Sequence, residues 1–163
     1  MKHPFRILVI DSDPQALERF ESILSQADME MIPAQDPLSG LRAVYQNHPD
    51  ALLLEVDLPE MDGFETCRRI RELTDVPIIL LADREQDPHD VVRGFSAGAD
   101  DYVVEPVSSS ELISRLLARL HRAQNTIDND REYLSPDASV ILDGERHELI
   151  IEGRTVYLPP KEF

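Results

Sequence analysis

The stretch that decides the fold is Leu52-Leu53-Leu54-Glu55-Val56-Asp57-Leu58-Pro59-Glu60-Met61-Asp62-Gly63-Phe64. It joins an apolar run to a carboxylate, and a turn marked by Pro59 and Gly63 follows. Such a run is typical of a buried parallel strand, which delivers its acid to the carboxyl edge of the sheet. We therefore expect Glu55 to lie at the end of a central strand, where α/β folds bind their ligands.

The rest of the chain alternates between short apolar runs and helical patterns. We expect strands near residues 5–10, 29–34, 51–56, 77–82 and 101–104. We expect helices over residues 14–26, 37–47, 64–73, 88–96 and 109 to about 122. Asp13 before Pro14, and the capping box from Ser108 to Glu111, support two of the helix starts. The pattern predicts an α/β fold with a five-stranded parallel, doubly wound sheet flanked by helices.

The residues at the predicted strand ends resemble those of bacterial response regulator receiver domains. In that family a strand like 51–56 ends in an aspartate that accepts a phosphoryl group, two adjacent acids hold Mg²⁺, and a hydroxyl residue and a lysine contact the phosphoryl oxygens. Here Ser12 breaks the acid pair, and the aspartate, hydroxyl residue and lysine are replaced, so the resemblance implies a degenerate phosphorylation site. Its residues are Asp11, Ser12, Glu55, Ala82 and Glu105.

The altered positions reverse the electrostatics that phosphoryl transfer needs. A carboxylate that attacks a phosphodonor requires nearby cations to neutralise the charge on the transferred oxygens. Glu105 places a negative charge where the family has a lysine. If Glu55 and Glu105 were both ionised about 5 Å apart, their repulsion would be roughly 3 kcal/mol. We expect a receiver that does not use phosphorylation, with no catalytic residue and no cofactor.

Three alternatives stay open at this edge. Asp57 could act as an acceptor two residues out of register, although it would lie in the loop beyond the strand. Asp11, Asp13 and Glu55 could together bind a divalent cation weakly through their oxygens. Glu55 could also imitate a phosphoaspartate through its length and fixed charge.

The resemblance is closest to the OmpR/PhoB class of response regulators. In that class the fourth helix, last strand and fifth helix pair with the same face of a second copy through complementary charges. Matching charges here are Arg93, Asp100, Asp101, Glu111 and Arg115, with Arg119 or Arg122. The resemblance also implies that Tyr102 is the aromatic residue that switches orientation. Pairs within one helix, such as Glu111 with Arg115, remain the simpler interpretation of these charges.

The C-terminal part of the sequence suggests a second unit. Residues 123–134 lose the helical period and are interpreted as a polar linker that separates the receiver-like domain, residues 1–122, from residues 135–163. Three short β patterns follow over residues 139–142, 147–151 and 155–158, with Gly144 and Gly153 in the turns between them. This part resembles the start of a winged-helix DNA-binding domain, which we expect to be truncated. DNA would then be bound by an effector domain beyond Phe163.

Composition limits the partners. The net charge is −16, and neither part has a basic patch that could hold DNA. We expect no membrane span and no secretion signal, and hence a cytoplasmic protein. The single cysteine, Cys67, is predicted to be a buried structural thiol. Five scattered histidines offer no catalytic or metal-binding spacing, so the sequence does not favour an enzyme.

These observations lead to one principal prediction and one alternative. The principal prediction is a DNA-binding transcriptional regulator whose degenerate receiver forms a homodimer without phosphorylation. The alternative is a sensor module that binds a protein or small ligand at the edge formed by Asp11, Glu55, Ala82 and Glu105. An open pocket at that edge would favour the sensor, and a filled edge would count against it.

Overall fold

The structure is a computed structural model that describes residues 3–83 and 87–130 and three short strands near the C-terminus. Side chains are described as far as residue 126. The parallel strands are β1 (Arg6–Ile10), β2 (Glu30–Ala34), β3 (Ala51–Glu55), β4 (Ile78–Ala82) and β5 (Asp101–Val104). The helices are α1 (Pro14–Gln26), α2 (Pro37–Asn47), α3 (Gly63–Leu73), α4 (Pro88–Ser96) and α5 (Ser109–Asp130). The predicted fold class is confirmed.

The described strands form a parallel sheet in the order β2-β1-β3-β4-β5. Every residue of β3 and β4 is buried, which explains why these two segments are continuous apolar runs. From β1, the strand β2 lies on one side and β3, β4 and β5 follow on the other, so the direction in which strands are added reverses between β1 and β3. In open α/β sheets such a reversal opens a crevice at the carboxyl ends of the strands.

Alternate strand residues pack on the two faces of the sheet. Leu8, Leu52 and Leu80 belong to the core on the face covered by α2 and α3, where Val44 and Ile70 also lie. The opposite core takes the intervening strand residues and is covered by α1 and α5. Its members include Ile7, Leu53, Leu81, Phe20 and Leu116. Two helical layers therefore hold the sheet and fix where its carboxyl ends lie.

Acidic and hydroxyl side chains begin the helices. Asp13, Asp36, Asp62 and Asp87 each accept a hydrogen bond from a backbone N–H in the first turn of α1, α2, α3 and α4, respectively. Ser108 accepts from Glu111 N at 3.2 Å at the start of α5. These caps satisfy donors that have no partner within the helix. The predicted starts at Asp13 and Ser108 are confirmed.

The C-terminal end of α5 differs from the prediction. The helix continues to Asp130, so residues 123–130 of the predicted linker are helical. Ala123 and Gln124 favour helix, and the sequence has no glycine or proline between Arg122 and Pro136 that would stop it. The remaining linker residues, 131–134, lie outside the described residues.

Three antiparallel strands follow the helix in sequence. They are β6 (Val140–Asp143), β7 (Glu148–Ile151) and β8 (Arg154–Tyr157), in the order β6-β7-β8. The three predicted β patterns are thereby confirmed, although residues 139, 147 and 158 at their ends are outside the described part. Residues 159–163, which were expected to start a winged-helix domain, also lie outside it.

Two further expectations concern burial and membranes. Cys67 is fully buried, as predicted, and burial raises the pKa of its thiol to about 11. Across the described residues, no helix is both long enough and apolar enough to cross a membrane.

Candidate functional site

The candidate site is the carboxyl edge of the sheet, where four strands bring their last residues together. β1 is followed by Asp11, β3 ends at Glu55, β4 ends at Ala82 and β5 is followed by Glu105. Asp83 comes directly after β4. We call Asp11, Glu55, Asp83 and Glu105 the acidic edge. Asp11, Glu55, Ala82 and Glu105 were singled out from the sequence, whereas Asp83 was not.

Asp11 is buried and held by its own loop. Its Oδ1 accepts a hydrogen bond from Asp13 N at 2.9 Å, and its N–H donates to Ala34 O at 3.0 Å. Burial, with Asp13 and Asp83 nearby, raises the pKa of Asp11 although the backbone bond opposes the shift. Asp13 points to α1, where its Oδ1 accepts from Gln15 N at 3.0 Å, and Ser12 is exposed.

Glu55 is the most perturbed carboxyl group of the acidic edge. Only 9% of the residue is exposed, and its Oε1 accepts a hydrogen bond from Asp57 N at 3.1 Å. Burial raises its pKa to about 7, and the charges of Asp11, Glu105 and Asp83 push in the same direction. Glu55 therefore exchanges between neutral and charged forms near neutral pH.

Glu105 carries an ion pair that sequence reasoning missed. Arg19, on α1, places its Nη2 3.1 Å from Glu105 Oε1. Burial raises the pKa of Glu105, and Arg19 works against that shift. The two residues are 86 positions apart, and no local pattern around Arg19 marks it, so only the fold reveals the pair.

Ala82 and Asp57 complete the edge. Ala82 is fully buried, and its carbonyl oxygen accepts from Glu105 N at 2.7 Å, which ties the loop after β5 to the end of β4. Asp57 is exposed in the loop after β3, as expected from its register. A methyl group therefore stands where the family resemblance implies a hydroxyl.

The residues present do not fit the Mg²⁺ that the receiver resemblance implies. Across the described residues, no group of three or more histidine, cysteine, aspartate or glutamate side chains is arranged to hold a metal ion. Asp13 caps α1 and Glu105 pairs with Arg19. The weak cation site proposed for Asp11, Asp13 and Glu55 has no support in this geometry.

An open groove of about 1310 Å³ lies beside the acidic edge; Asp83 and Glu105 line it, whereas Asp11 and Glu55 are not among its lining residues. Its lining carries both charges, with Asp57, Asp83 and Glu105 among the acids and Arg19 and Arg93 among the bases. Apolar side chains from both helical layers also line it. The groove is therefore an accessible surface of mixed character, whereas Asp11 and Glu55 beside it are buried.

The predicted pairing face divides into two groups. On α5 and β5, four of its residues are connected to one another. Asp101 is buried, and both its carboxylate oxygens lie 3.3 Å from Arg115 Nη1. Arg115 Nη2 also donates to Glu111 Oε1 at 3.0 Å, and Arg119 Nη2 lies 3.7 Å from Asp101 Oδ2. Arg122, the alternative to Arg119 in the prediction, is exposed on the same helix.

The other two members of the predicted face turn toward α3. Arg93 lies over the ring of Phe64, 4.3 Å from its centre, and approaches Asp90 at 3.5 Å and Asp62 at 3.7 Å. Asp100 Oδ2 accepts from Arg71 Nη2 and from Ile78 N, each at 2.8 Å. Both charges therefore have partners within the chain.

Sequence reasoning also missed three exposed apolar side chains on this face. Val92 and Phe95 of α4 and Val104 of β5 are 65%, 49% and 47% exposed. Tyr102, the predicted switch residue, is half-buried and packs on the core. A Cβ added to Gly94 would stand 2.9 Å from its ring, so Tyr102 lies directly against α4.

Comparisons with known proteins agree with the receiver-like fold. The family model of the response regulator receiver domain matches residues 7–117. The DNA-binding response regulator MtrA of Mycolicibacterium smegmatis is 37% identical over 158 residues, covering 97% of this chain and 67% of MtrA. The transcriptional regulatory protein AfsQ1 of Streptomyces coelicolor is 35% identical over 157 residues, covering 96% and 68%. A crystal structure of a provisionally assigned response regulator from Chloroflexus aurantiacus, 34% identical, superposes with a TM-score of 0.69 over 72% of this chain and 98% of that one.

Proposed function

The chain belongs to the response regulator receiver family, and we propose that it is the receiver part of a DNA-binding transcriptional regulator that pairs without phosphorylation. Its similarity to the DNA-binding regulators MtrA and AfsQ1 supports the regulatory role. About a third of the length of each relative lies outside the matched part. We place DNA binding in the corresponding region beyond Phe163, because the chain itself carries a net charge of −16.

The observation that carries the proposal is the Arg19–Glu105 ion pair. Phosphoryl transfer to a carboxylate needs positive charge where the negative charge on the transferred oxygens develops. At the end of β5 the chain presents a carboxylate, and among the described residues its cationic partner is Arg19 of α1, 3.1 Å away. A phosphoryl group on Glu55 would meet the charges of Asp11, Asp83 and Glu105, which already oppose ionisation of Glu55. The acidic edge therefore disfavours phosphorylation.

The protonation of Glu55 bears on the idea that it imitates a phosphoaspartate. A phosphoryl group carries close to two negative charges at neutral pH, whereas Glu55, with its pKa of about 7, carries about half of one. Ala82 also lacks a hydroxyl group that could follow a charged oxygen. Permanent imitation of the phosphorylated form is therefore not part of the proposal.

Pairing is assigned to the face formed by α4, β5 and α5. Asp101, Glu111, Arg115 and Arg119 form a connected charge network on its α5 side. Val92, Phe95 and Val104 add apolar surface on its α4 side. Exposed apolar side chains surrounded by charges are typical of a surface that binds another protein. A second copy of the chain would bury these side chains and exchange some of the charge pairs between protomers.

Incubation with acetyl phosphate and Mg²⁺, followed by intact-mass spectrometry, tests the absence of phosphorylation. The wild-type chain is expected to keep its mass. The matched positive control is the variant Ser12→Asp, Glu55→Asp, Ala82→Thr, Glu105→Lys, which restores the residues that the resemblance implies and should gain a phosphoryl group. Phosphorylation of the wild-type chain at Glu55 or Asp57 would refute the proposal.

A second candidate function is a sensor that binds a small ligand in the groove. The groove of about 1310 Å³ supports it, since it joins acids and bases to apolar walls in an open site. Screening small cationic and hydroxylated compounds by thermal shift would test this function. A hit that is lost in Asp57→Asn or Asp83→Asn but kept in Glu72→Gln, on the exposed surface of α3, would favour the sensor.

A further inference from the structure

We propose that Arg19 acts as a built-in counter-ion that closes the acidic edge to divalent cations. The inference deepens the proposed function, since it explains how this edge remains stable without the metal that phosphorylation would require. It rests on the ion pair between Arg19 and Glu105 and on the electrostatic effect of Arg19 on Asp11.

The first step is the contact that fixes Arg19. Its Nη2 lies 3.1 Å from Glu105 Oε1, and the two side chains are 55% and 18% exposed. The guanidinium carbon also lies 5.0 Å from the centre of the Phe20 ring. Phe20 is almost fully buried, so it gives the cation a rigid neighbour. Arg19 therefore contacts both the Glu105 carboxylate and the Phe20 ring where it lines the groove.

The second step is the reach of its charge. Arg19 lowers the pKa of Glu105 and also that of Asp11, although burial dominates and leaves both pKa values raised. These two carboxylates follow different strands, Glu105 after β5 and Asp11 after β1. One side chain thus compensates part of the negative charge on two sides of the edge, as a bound cation would.

The third step is competition. A divalent cation binds carboxylate oxygens that are free to coordinate, and Mg²⁺ completes a near-octahedral shell with water molecules. In this chain Glu105 is already paired with Arg19, whose positive charge also acts on Asp11. Removing Arg19 would free Glu105 and increase the local negative charge. Both changes favour a cation from solution.

The test compares thermal unfolding in metal-free buffer with unfolding in about 10 mM MgCl₂, for the wild type, Arg19→Gln and the control Arg69→Gln. Arg69 is an exposed arginine that pairs with Glu65 on α3, so its removal costs a similar surface pair elsewhere. The midpoint of Arg19→Gln should rise by about 2–5 °C with Mg²⁺, a shift that mass action gives for weak binding to the folded state. The wild type and the control should shift by less than about 1 °C.

Two results would overturn the inference. One is an Arg19→Gln variant that responds to Mg²⁺ no more than the wild type, and the other is a wild type that itself shifts. Arg19→Lys retains the charge and is expected to stay unresponsive. If Arg19→Gln is unfolded without metal, circular dichroism can follow its refolding when Mg²⁺ is added. Refolding with Mg²⁺ supports the inference, and a variant that stays unfolded with Mg²⁺ refutes it.

The outcome is separable from that of the proposed function. If Arg19→Gln does not respond to Mg²⁺ and acetyl phosphate does not modify the wild type, only the proposed role of Arg19 is refuted. A wild type that binds Mg²⁺ and becomes phosphorylated removes the proposed function as well.

Discussion

At the scale of single residues, Glu55 shows how position changes the chemistry of a side chain. An exposed glutamate is fully ionised at neutral pH, whereas Glu55 is buried at the end of β3 beside three other acids. Its pKa of about 7 means that the folded chain holds a proton that the unfolded chain releases near pH 4.5. The electrostatic cost of the acidic edge is thus reduced by protonation.

Glu55→Gln should remove this proton dependence. Between pH about 4.5 and about 7 the folded wild type binds more protons than the unfolded chain, so its free energy of unfolding falls as pH rises. The amide stays neutral, and its oxygen can still accept from Asp57 N. The variant should equal the wild type near pH 4.5 and be more stable by roughly 2–3 kcal/mol near pH 8.

Urea unfolding at several pH values measures this difference. Glu18→Gln, on the exposed side of α1, is the matched control and should follow the wild type. Asp11 and Glu105, whose pKa values are also raised, leave part of the slope in both proteins. A Glu55→Gln variant with the same pH slope as the wild type would show that Glu55 is ionised throughout.

At the scale of elements, close contact between α3 and β3 shapes the acidic edge. Gly63, the first residue of α3, lies so near the end of β3 that an added Cβ would stand 2.6 Å from Val56 Cα and meet the carbonyl oxygen of Glu55. Backbone atoms of a buried strand have little room to move. The glycine therefore allows the helix to begin directly beside the strand end that carries Glu55.

Gly63→Ala should accordingly lower the free energy of unfolding by about 3 kcal/mol, the cost of an overpacked core site. Gly40→Ala is the comparison, because there the added Cβ meets side-chain rather than backbone atoms, those of the buried Ile10, with Cγ1 at 2.9 Å. Its cost should be smaller, about 1–2 kcal/mol, since a side chain can shift further than a strand backbone and alanine also favours the helix. Equal losses for the two variants in urea unfolding would contradict this account of α3.

The contacts of Asp100 indicate a role in the stability of the fold rather than in pairing. The resemblance assigns it to the pairing face, whereas its carboxylate accepts from Arg71 of α3 and from Ile78 N of β4. Asp100→Ala should therefore destabilise the folded monomer by about 1–2 kcal/mol. The dimer dissociation constant, measured by light scattering, should change less than threefold.

The comparison with Arg115→Ala makes this prediction specific. Arg115 joins Glu111 and Asp101 on the pairing face, so its loss should weaken the dimer more than the fold. If Asp100→Ala lost pairing while its urea unfolding midpoint stayed unchanged, the result would show that Asp100 acts in the dimer interface.

Sequence reasoning succeeded wherever the signal was local. The apolar runs of β3 and β4 and the caps at Asp13 and Ser108 were sufficient to place their elements. It failed at the end of α5, where loss of hydrophobic period was interpreted as loss of helix although nothing after Arg122 stops the helix. Arg19 was missed because its partner, Glu105, is distant in sequence and near only in the fold.

At the scale of the whole molecule, the chain combines a receiver fold with an acidic edge at which Arg19 pairs with Glu105. The net charge of −16 would oppose association of two copies at low salt. Salt screens this repulsion between the two copies. It does not weaken the apolar contact through Val92, Phe95 and Val104. Pairing should therefore become stronger, not weaker, as salt increases from about 50 to 300 mM.

The central claim is that pairing is independent of phosphorylation. Light scattering across a concentration series, with and without Mg²⁺ and beryllofluoride, tests it most directly. The account predicts a mass near twice the chain mass of 18.5 kDa in both conditions, and a return toward the single-chain mass in Arg115→Ala but not in Arg69→Ala. A chain that stays monomeric and pairs only when beryllofluoride is added would contradict it.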